Sequence, residues 1–517
     1  MTFEIVFVLL SLLGMVAALI ADKMRPGMIL FSVVVLFLCA GILTPKEMLE
    51  GFSNKGMITV ALLFLVSEGI RQSGTLGQVI KKLLPQGKTT VFKAQLRILP
   101  SVAFISAFLN NTPVVVIFAP IIKHWAKSVN LPATKFLIPL SYVTILGGIC
   151  TLIGTSTNLV VHGMILEAGF EGFSMFELGK VGIFIAIAGI IYIFLFSKRL
   201  LPDARPDTAV PDEEIEEGEK FHRVEAVLGA RFPGINKKLK DFNFQRHYGA
   251  EVKEIKTRNG QRFVSNLEDV VLHEGDTLVV MADDTFIPTW GESSVFVLLT
   301  NGNEPDTTGK KKRWFALLLL VLMIVGATVG ELPITKEMFP DIKLDMFFFV
   351  SITTIIMAWT NLFPARKYTK YISWDILITI ACAFAISKAM VNSGVADSVA
   401  KFIIGLSDDY GPHVLLAMLF IITNLFTELI TNNAAAALAF PLALSIASQL
   451  GVSPTPFFVV ICMAASASFS TPIGYQTNLI VQGIGNYKFT DFVRIGLPLN
   501  IITFLISIIL IPLIWNF

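Results

Sequence analysis

Two polar stretches interrupt long apolar runs in this chain, Phe108 to Pro120 (FLNNTPVVVIFAP) and Leu429 to Pro441 (LITNNAAAALAFP), and they are copies of one another. Setting Asn110 over Thr431 puts Asn111 over Asn432, Thr112 over Asn433 and Pro120 over Pro441 without a gap. The match extends outward: Ser73-Gly74 falls on Ser393-Gly394, Phe136 on Phe457, and, after one deletion, IGTSTNLVVHG (Ile153 to Gly163) on IGYQTNLIVQG (Ile473 to Gly483). Backbone polar groups freed by a break at membrane depth must be buried in protein or line a cavity. Two related halves, each broken twice, are therefore the sequence mark of a transporter built from repeats with discontinuous helices.

Composition agrees, since 54% of the 517 residues are hydrophobic, only 15% are charged, and the mean hydropathy is +0.69. That excludes an ordinary soluble domain and indicates a polytopic membrane protein. The net charge of +2 is uninformative, and nothing points to nucleic acid. Cys39, Cys150, Cys382 and Cys462 lie in apolar segments without metal-ligand spacing and read as small core residues. The first apolar run, Phe3 to Ile20, has its positive charges after it, at Lys23 and Arg25. It reads as a retained first helix with its amino terminus outside.

The distribution of basic residues orients the halves. Lys81, Lys82, Lys88, Lys93 and Arg97 precede the NNTP segment and Lys123, Lys127 and Lys135 follow it, which places both flanks in the cytoplasm and makes the segment a re-entrant hairpin. In the second half, Arg366, Lys367 and Lys370 precede the first span, and the next loop carries Asp397, Lys401, Asp408 and Asp409. The TNNA hairpin is thus expected to enter from the outer face, so the repeats are inverted. The expected division is 1–56 for N-terminal transmembrane helices, 57–200 for the first membrane repeat, 201–220 for an acidic linker and 221–300 for a small folded domain. Linking transmembrane helices at 314–360 and a second repeat at 371–517 complete it.

The insert is a different kind of polymer. Short alternating stretches (Ala250 to Ile255, Thr277 to Val280), with turn signals at Asn259-Gly260 and Glu274 to Asp276, suggest a small α/β domain. It holds no phosphate loop, nucleophile elbow or metal cluster, so an accessory role is expected.

A half-helix that begins at mid-membrane leaves its first N–H groups unpaired, and with the helix dipole these attract anions without a basic side chain. Asn110, Asn111 and Thr112, with Pro113 at the first helical position, and Thr431, Asn432 and Asn433 are the candidate substrate-binding groups. The breaks GTSTN and GYQTN (Thr155, Ser156, Thr157, Asn158; Gly474, Gln476, Thr477, Asn478) supply hard oxygen ligands suited to sodium. Three ionisable residues lie in apolar runs. Glu68 and Lys388, at matching positions, favour a structural role, and Glu428 stands where it can orient the second tip. No nucleophile and base or metal cluster falls at one depth, so an enzyme is not expected, nor any organic cofactor.

These residues resemble a known family. The doubled Asn110-Asn111-Thr112 and Thr431-Asn432-Asn433, each ten residues before a proline, resemble the paired Ser-Asn-Thr signatures of the divalent anion:sodium symporter (DASS) family, with Asn110 and Thr431 where Ser is usual and Asn433 where Thr is. STPIGYQTNL (Ser470 to Leu479) resembles the form in the sulfate-permease-like branch of bacteria and algae, and the insert resembles the TrkA C-terminal (RCK-C) domain of that branch, in a single copy. The resemblance implies an all-α fold of two inverted repeats with re-entrant hairpins and broken helices. It further implies a homodimer in the bacterial inner membrane, with the insert in the cytoplasm, moving sulfate or a di- or tricarboxylate with sodium by an elevator motion. The insert is expected to bind a small cytosolic ligand. A proton-coupled carrier using Glu68 or Glu428, a sodium-independent exchanger, and less readily an RCK-regulated channel are the alternatives.

Overall fold

A computed structural model describes residues 3–21, 24–203, 221–229, 232–257, 261–283, 286, 290, 295–300, 310–339, 341–405 and 411–517. Among these, eight helices are long and apolar enough to cross a membrane, and four shorter apolar helices accompany them. The chain is a polytopic, mostly helical membrane protein whose halves share one plan. In the first half the helices run Lys55–Gln72, Thr75–Leu83, Val91–Ser106, Asn111–Ser128, Leu137–Gly148, Ser156–Glu167 and Gly179–Leu200. In the second they run Trp374–Asn392, Val395–Gly405, Gly411–Leu429, Asn432–Leu450, Thr455–Ser466, Gln476–Gly485 and Phe489–Ile514.

Each half therefore contains a helical hairpin that turns at the doubled motif and a helix that breaks at the second one. All residues of Leu137–Gly148 and almost all of Thr455–Ser466 are buried, as helices apolar on every face must be when they stand at the centre. The closing helices instead present apolar stripes outward: Phe184, Ile187, Ile191 and Leu195 in one, Leu497, Ile501, Leu505 and Ile509 in the other. Lipid is as apolar as these side chains, so close packing rather than water exclusion holds the helices together, and small residues allow the approach. A Cβ on Gly147 would lie 2.1 Å from the Ala103 carbonyl oxygen, and one on Gly496 would lie 2.0 Å from that of Phe469.

The halves interlock. Pro26–Cys39 packs on Trp374–Asn392, Met346–Trp359 packs on Lys55–Gln72, and the two closing helices pack on each other. At the centre the arm Asn111–Ser128 packs on Gln476–Gly485 of the other half, and Asn432–Leu450 packs on Ser156–Glu167. Lys55 also pairs with Asp345, the N-cap of Met346–Trp359.

Several details differ from the sequence reading. The first hairpin arm begins at Asn111, with Asn110 as N-cap, so Pro113 occupies the third helical position and not the first. Its missing N–H still falls within the first turn, where no intrahelical partner exists, so no bond is lost. Cys39 is exposed at the end of its helix and is not a core residue, unlike the buried Cys382 and Cys462. Lys135 is buried: its ammonium donates to the carbonyls of Lys198 (2.8 Å) and Leu201 (2.5 Å) and pairs with Asp203 at 3.1 Å. A cation there satisfies the carbonyls at the end of Gly179–Leu200 and complements the helix dipole. Most of the acidic linker (204–220), the Asn259-Gly260 turn, and Asp408 with Asp409 lie outside the described residues.

The insert forms a five-stranded sheet in the order β3-β2-β4-β1-β5, with β1 Phe221–Leu228, β2 Glu251–Lys256, β3 Arg262–Phe263, β4 Thr277–Asp283 and β5 Phe296–Thr300. All its described pairings are antiparallel. Gly275 at φ +85° makes the turn before β4, a conformation glycine adopts without Cβ strain. The strand period of two divides β1: Val224, Ala226 and Leu228 face the insert's own core, whereas Val227 joins the core of the membrane helices. On that second face Glu225 pairs with Lys123 of the first hairpin at 2.9 Å and with Lys256 at 3.4 Å. Burial pushes the Glu225 carboxyl up, but the two ammoniums outweigh it and hold it at about 2.

Candidate functional site

Four half-helices begin at the centre of the molecule, at Asn111, Asn432, Ser156 and Gln476, and none is capped by its own N-cap side chain. Their N-caps, Asn110, Thr431, Thr155 and Tyr475, hold extended ψ angles of 140°, 147°, 147° and 131°. The first N–H groups of four helices are thus left without an intrahelical or side-chain cap in one region, and helix dipoles add positive potential there.

Side chains repeat the symmetry in detail. The Ser106 hydroxyl shares its proton between Asn111 Oδ1 (2.8 Å) and the Thr144 carbonyl (2.9 Å), while that of Thr427 is shared between Asn432 Oδ1 (2.9 Å) and the Ala465 carbonyl (2.6 Å). Each tip asparagine therefore has its oxygen held from within its own hairpin, which turns its amide NH2 toward the centre. The amide of Asn158 donates to the Gly148 and Thr151 carbonyls, and that of Asn478 donates to the Ser468 and Thr471 carbonyls. Thr151 bonds the Ala107 carbonyl and Thr471 that of Glu428, tying each break to its hairpin.

The tips also reach across the halves. Thr112 donates to Gln476 Oε1 at 3.3 Å, and in the equivalent place Ser156 and Thr157 donate to Asn433 Oδ1, each at 3.3 Å. Ser156, Thr157 and Gln476, expected as cation ligands, are thereby set against the hairpin tips, closer to the candidate anion groups than a separate cation set would be. Thr477 and Asn478 meet Ser141, whose hydroxyl lies 2.9 Å from Thr477 Oγ1 and donates to Asn478 Oδ1 at 2.7 Å. Gly474 must be glycine for room, since a Cβ there would lie 1.9 Å from Ser468 Oγ. Asn110 is half-buried beside a cavity that Ser67, Leu109, Ile153 and Ser156 also line.

Among the buried oxygens without a partner are Thr431 Oγ1 at the second tip and Asn158 Oδ1 at the first break. A buried polar atom without a bond costs on the order of 1–3 kcal/mol, so such atoms at a helix-end cluster point to a ligand. Amide, hydroxyl and carbonyl oxygens are hard donors that fit a sodium ion, and among the described residues no group of three or more His, Cys, Asp or Glu could hold a metal ion instead.

The intramembrane charges separate. Glu68 is held by Arg71 (2.6 Å) and Gln72 (2.6 Å) of its own helix, and Lys388 is exposed, so neither joins the tips. Glu428 accepts from the Ser470 N–H at 2.8 Å and from Asn500 Nδ2 at 2.7 Å, joining the second hairpin to its break and to the closing helix. Sequence reading missed Ser106, Thr427, Thr151 and Thr471, although the same repeat offset pairs them, and it missed Tyr475, which lies where the halves differ.

The sequence profile described as "Citrate transporter" matches residues 16–451 and again 342–516. An uncharacterized transporter of Synechocystis sp. is 30% identical, over 94% of this chain and 93% of its own length. Probable sodium/sulfate cotransporter 3 of Chlamydomonas reinhardtii is 23% identical over 93% of this chain and 85% of its own length. The Na(+)/citrate cotransporter of Rattus norvegicus is 29% identical over 25% and 23% of the two chains. The interlocked repeats, the twice-broken halves and this match over most of the length lead to one conclusion: the chain is a transporter that belongs to the citrate transporter family.

Proposed function

We propose that the chain is a secondary active transporter that carries a divalent anion, sulfate or a di- or tricarboxylate, together with sodium. The observation that carries this reading is the meeting of four uncapped half-helix N-termini with the inward amides of Asn111 and Asn432. N–H groups and amides hold an anion without the fixed countercharge that would keep it bound, which suits a carrier that must release its cargo. Asn110, Thr112, Thr431 and Asn433 complete the anion set. Thr155, Ser156, Thr157, Asn158, Gly474, Gln476, Thr477 and Asn478 form the cation set, with the unpartnered Asn158 Oδ1 as a ligand. Because the cations and the anion order the same tips, binding of each favours the other by the same factor. Relatives named sodium/sulfate and Na(+)/citrate cotransporters support the coupling ion.

In this reading the hairpins and broken helices, within 57–200 and 371–517, move as an elevator against the remaining helices of a homodimer. The insert, 221–300 after the linker 201–220, sits in the cytoplasm as an RCK-C-like accessory domain that takes a small ligand. Uptake of labelled sulfate, succinate and citrate into proteoliposomes, with and without a sodium gradient, tests the proposal. Uptake stimulated by the gradient is expected. Uptake indifferent to sodium but driven by a proton gradient would replace it with a proton-coupled carrier.

A further inference from the structure

Thr155 and Tyr475 occupy the same place in the two halves: each is the N-cap of a broken half-helix, with φ, ψ of −139°, 147° and −134°, 131°. The backbone is repeated and the side chain is not. Around them the tip asparagines, the break asparagines and the bonds between tip and break all have twins, so the phenol ring departs from that symmetry. The ring is buried and points at the tips: Tyr475 Oη accepts from Asn111 Nδ2 at 2.7 Å and lies 3.0 Å from Thr155 Oγ1. The Asn432 side chain is near enough to act on the phenol as well, so the hydroxyl stands between the two tips.

We infer that Tyr475 determines substrate specificity by limiting the site to a compact, tetrahedral oxyanion of the sulfate class, an inference that rests on the anion-transport reading above. The ring, on one side only, fills the space between the tips as far as Thr155, its smaller twin, and an elongated carboxylate would have to displace it. Asn111 already donates to Oη, so the phenol's own proton is free to go to Thr155 Oγ1 or to an anion oxygen. Tyr475 thus excludes by bulk and recognises by hydrogen bond, and specificity is a difference between the two classes of anion.

The test compares wild type, Tyr475→Phe and Tyr475→Thr in proteoliposomes under a sodium gradient, measuring uptake of labelled sulfate, succinate and citrate. Wild type is expected to prefer sulfate. Tyr475→Thr, which copies the other half, is expected to raise the succinate-to-sulfate uptake ratio at least about tenfold, the scale of discrimination a pocket's shape supplies. Tyr475→Phe keeps the ring and loses the donor, so the sulfate half-saturation should rise about tenfold while succinate and citrate uptake stay as low as in wild type. A wild-type preference for citrate, or an unchanged ratio in Tyr475→Thr, would overturn the inference and leave the transport reading standing. If Tyr475→Thr does not assemble, Tyr475→Phe decides alone, and an unchanged half-saturation overturns it. Sodium-independent behaviour of all three anions in wild type would instead remove the reading on which it rests.

Discussion

At the scale of single residues, the site is built from pairs that hold one another in place before any ligand arrives. Ser106 and Thr427 fix the tip asparagines, Thr151 and Thr471 fix the breaks, and the Cβ space of Gly148 is taken by Asn111, whose Oδ1 would lie 2.7 Å away. Glu428 is the added element of the second half, where the matching residue of the first is Ala107. Its carboxyl accepts from the Ser470 N–H and the Asn500 amide, so Glu428→Ala, which leaves both buried donors without a partner, is expected to cost roughly 1–3 kcal/mol of stability. Thermal unfolding of the purified variant measures this, and an unchanged midpoint would mean that the contacts do not hold the break. The substrate and cation candidates were legible because Asn and Thr in an apolar run have few reasons to be there. Tyr475 was not, because an aromatic residue in a membrane protein carries no such signal, and only its place opposite Thr155 gives it meaning.

At the scale of elements, both hairpins and both breaks were legible from the repeat, whereas their ends were not. Val91–Ser106 starts well before the apolar run from Ile98, because its first turns carry the exposed Lys93 and Arg97 and the buried Gln95, polar residues that hydropathy alone assigns to a loop. The insert's placement was also hidden, since its docking face is read only from which side of β1 meets the hairpin. A cysteine Cβ at Gly275 would lie 3.8 Å from that of Leu479, the separation found in disulfides. With Cys39, Cys150, Cys382 and Cys462 replaced, Gly275→Cys with Leu479→Cys should cross-link under mild oxidation, despite a strained backbone at position 275. No cross-link, with each single cysteine reactive, would show that the insert does not rest on this half-helix.

The Glu225 contact makes a pH prediction. A carboxyl held at about 2 in the fold, below its ordinary value, contributes stability that is fully present above the unfolded value and is lost progressively as pH falls from there through about 2. Glu225→Gln should therefore lower the thermal midpoint by the same amount at about pH 5 and at about pH 8, and a difference that shrinks across that window would point to a different titrating group.

At the scale of the whole molecule, two copies of one plan interlock so that each tip faces the other half's broken helix. Lys81 and Lys401 occupy the same position in the two copies, and both are exposed. If the repeats are inverted in the membrane, a cysteine in place of Lys81 should react with an impermeant reagent only from the cytoplasm, and one in place of Lys401 only from outside. Labelling of both from one side would end that topology.

The central claim is that the paired tips hold the anion and the breaks hold the cation, and concentration dependence of uptake in proteoliposomes tests it most directly. Asn111→Ala and Asn432→Ala each remove charge-assisted hydrogen bonds of roughly 1.5–3 kcal/mol, so the anion half-saturation should rise about ten- to a hundredfold. Substitutions at Thr155, Asn158, Thr477 and Asn478 should mainly raise the sodium concentration for half-maximal uptake. Wild-type anion half-saturation in both asparagine variants, together with a Glu68→Gln variant that loses transport and its pH dependence, would contradict the account.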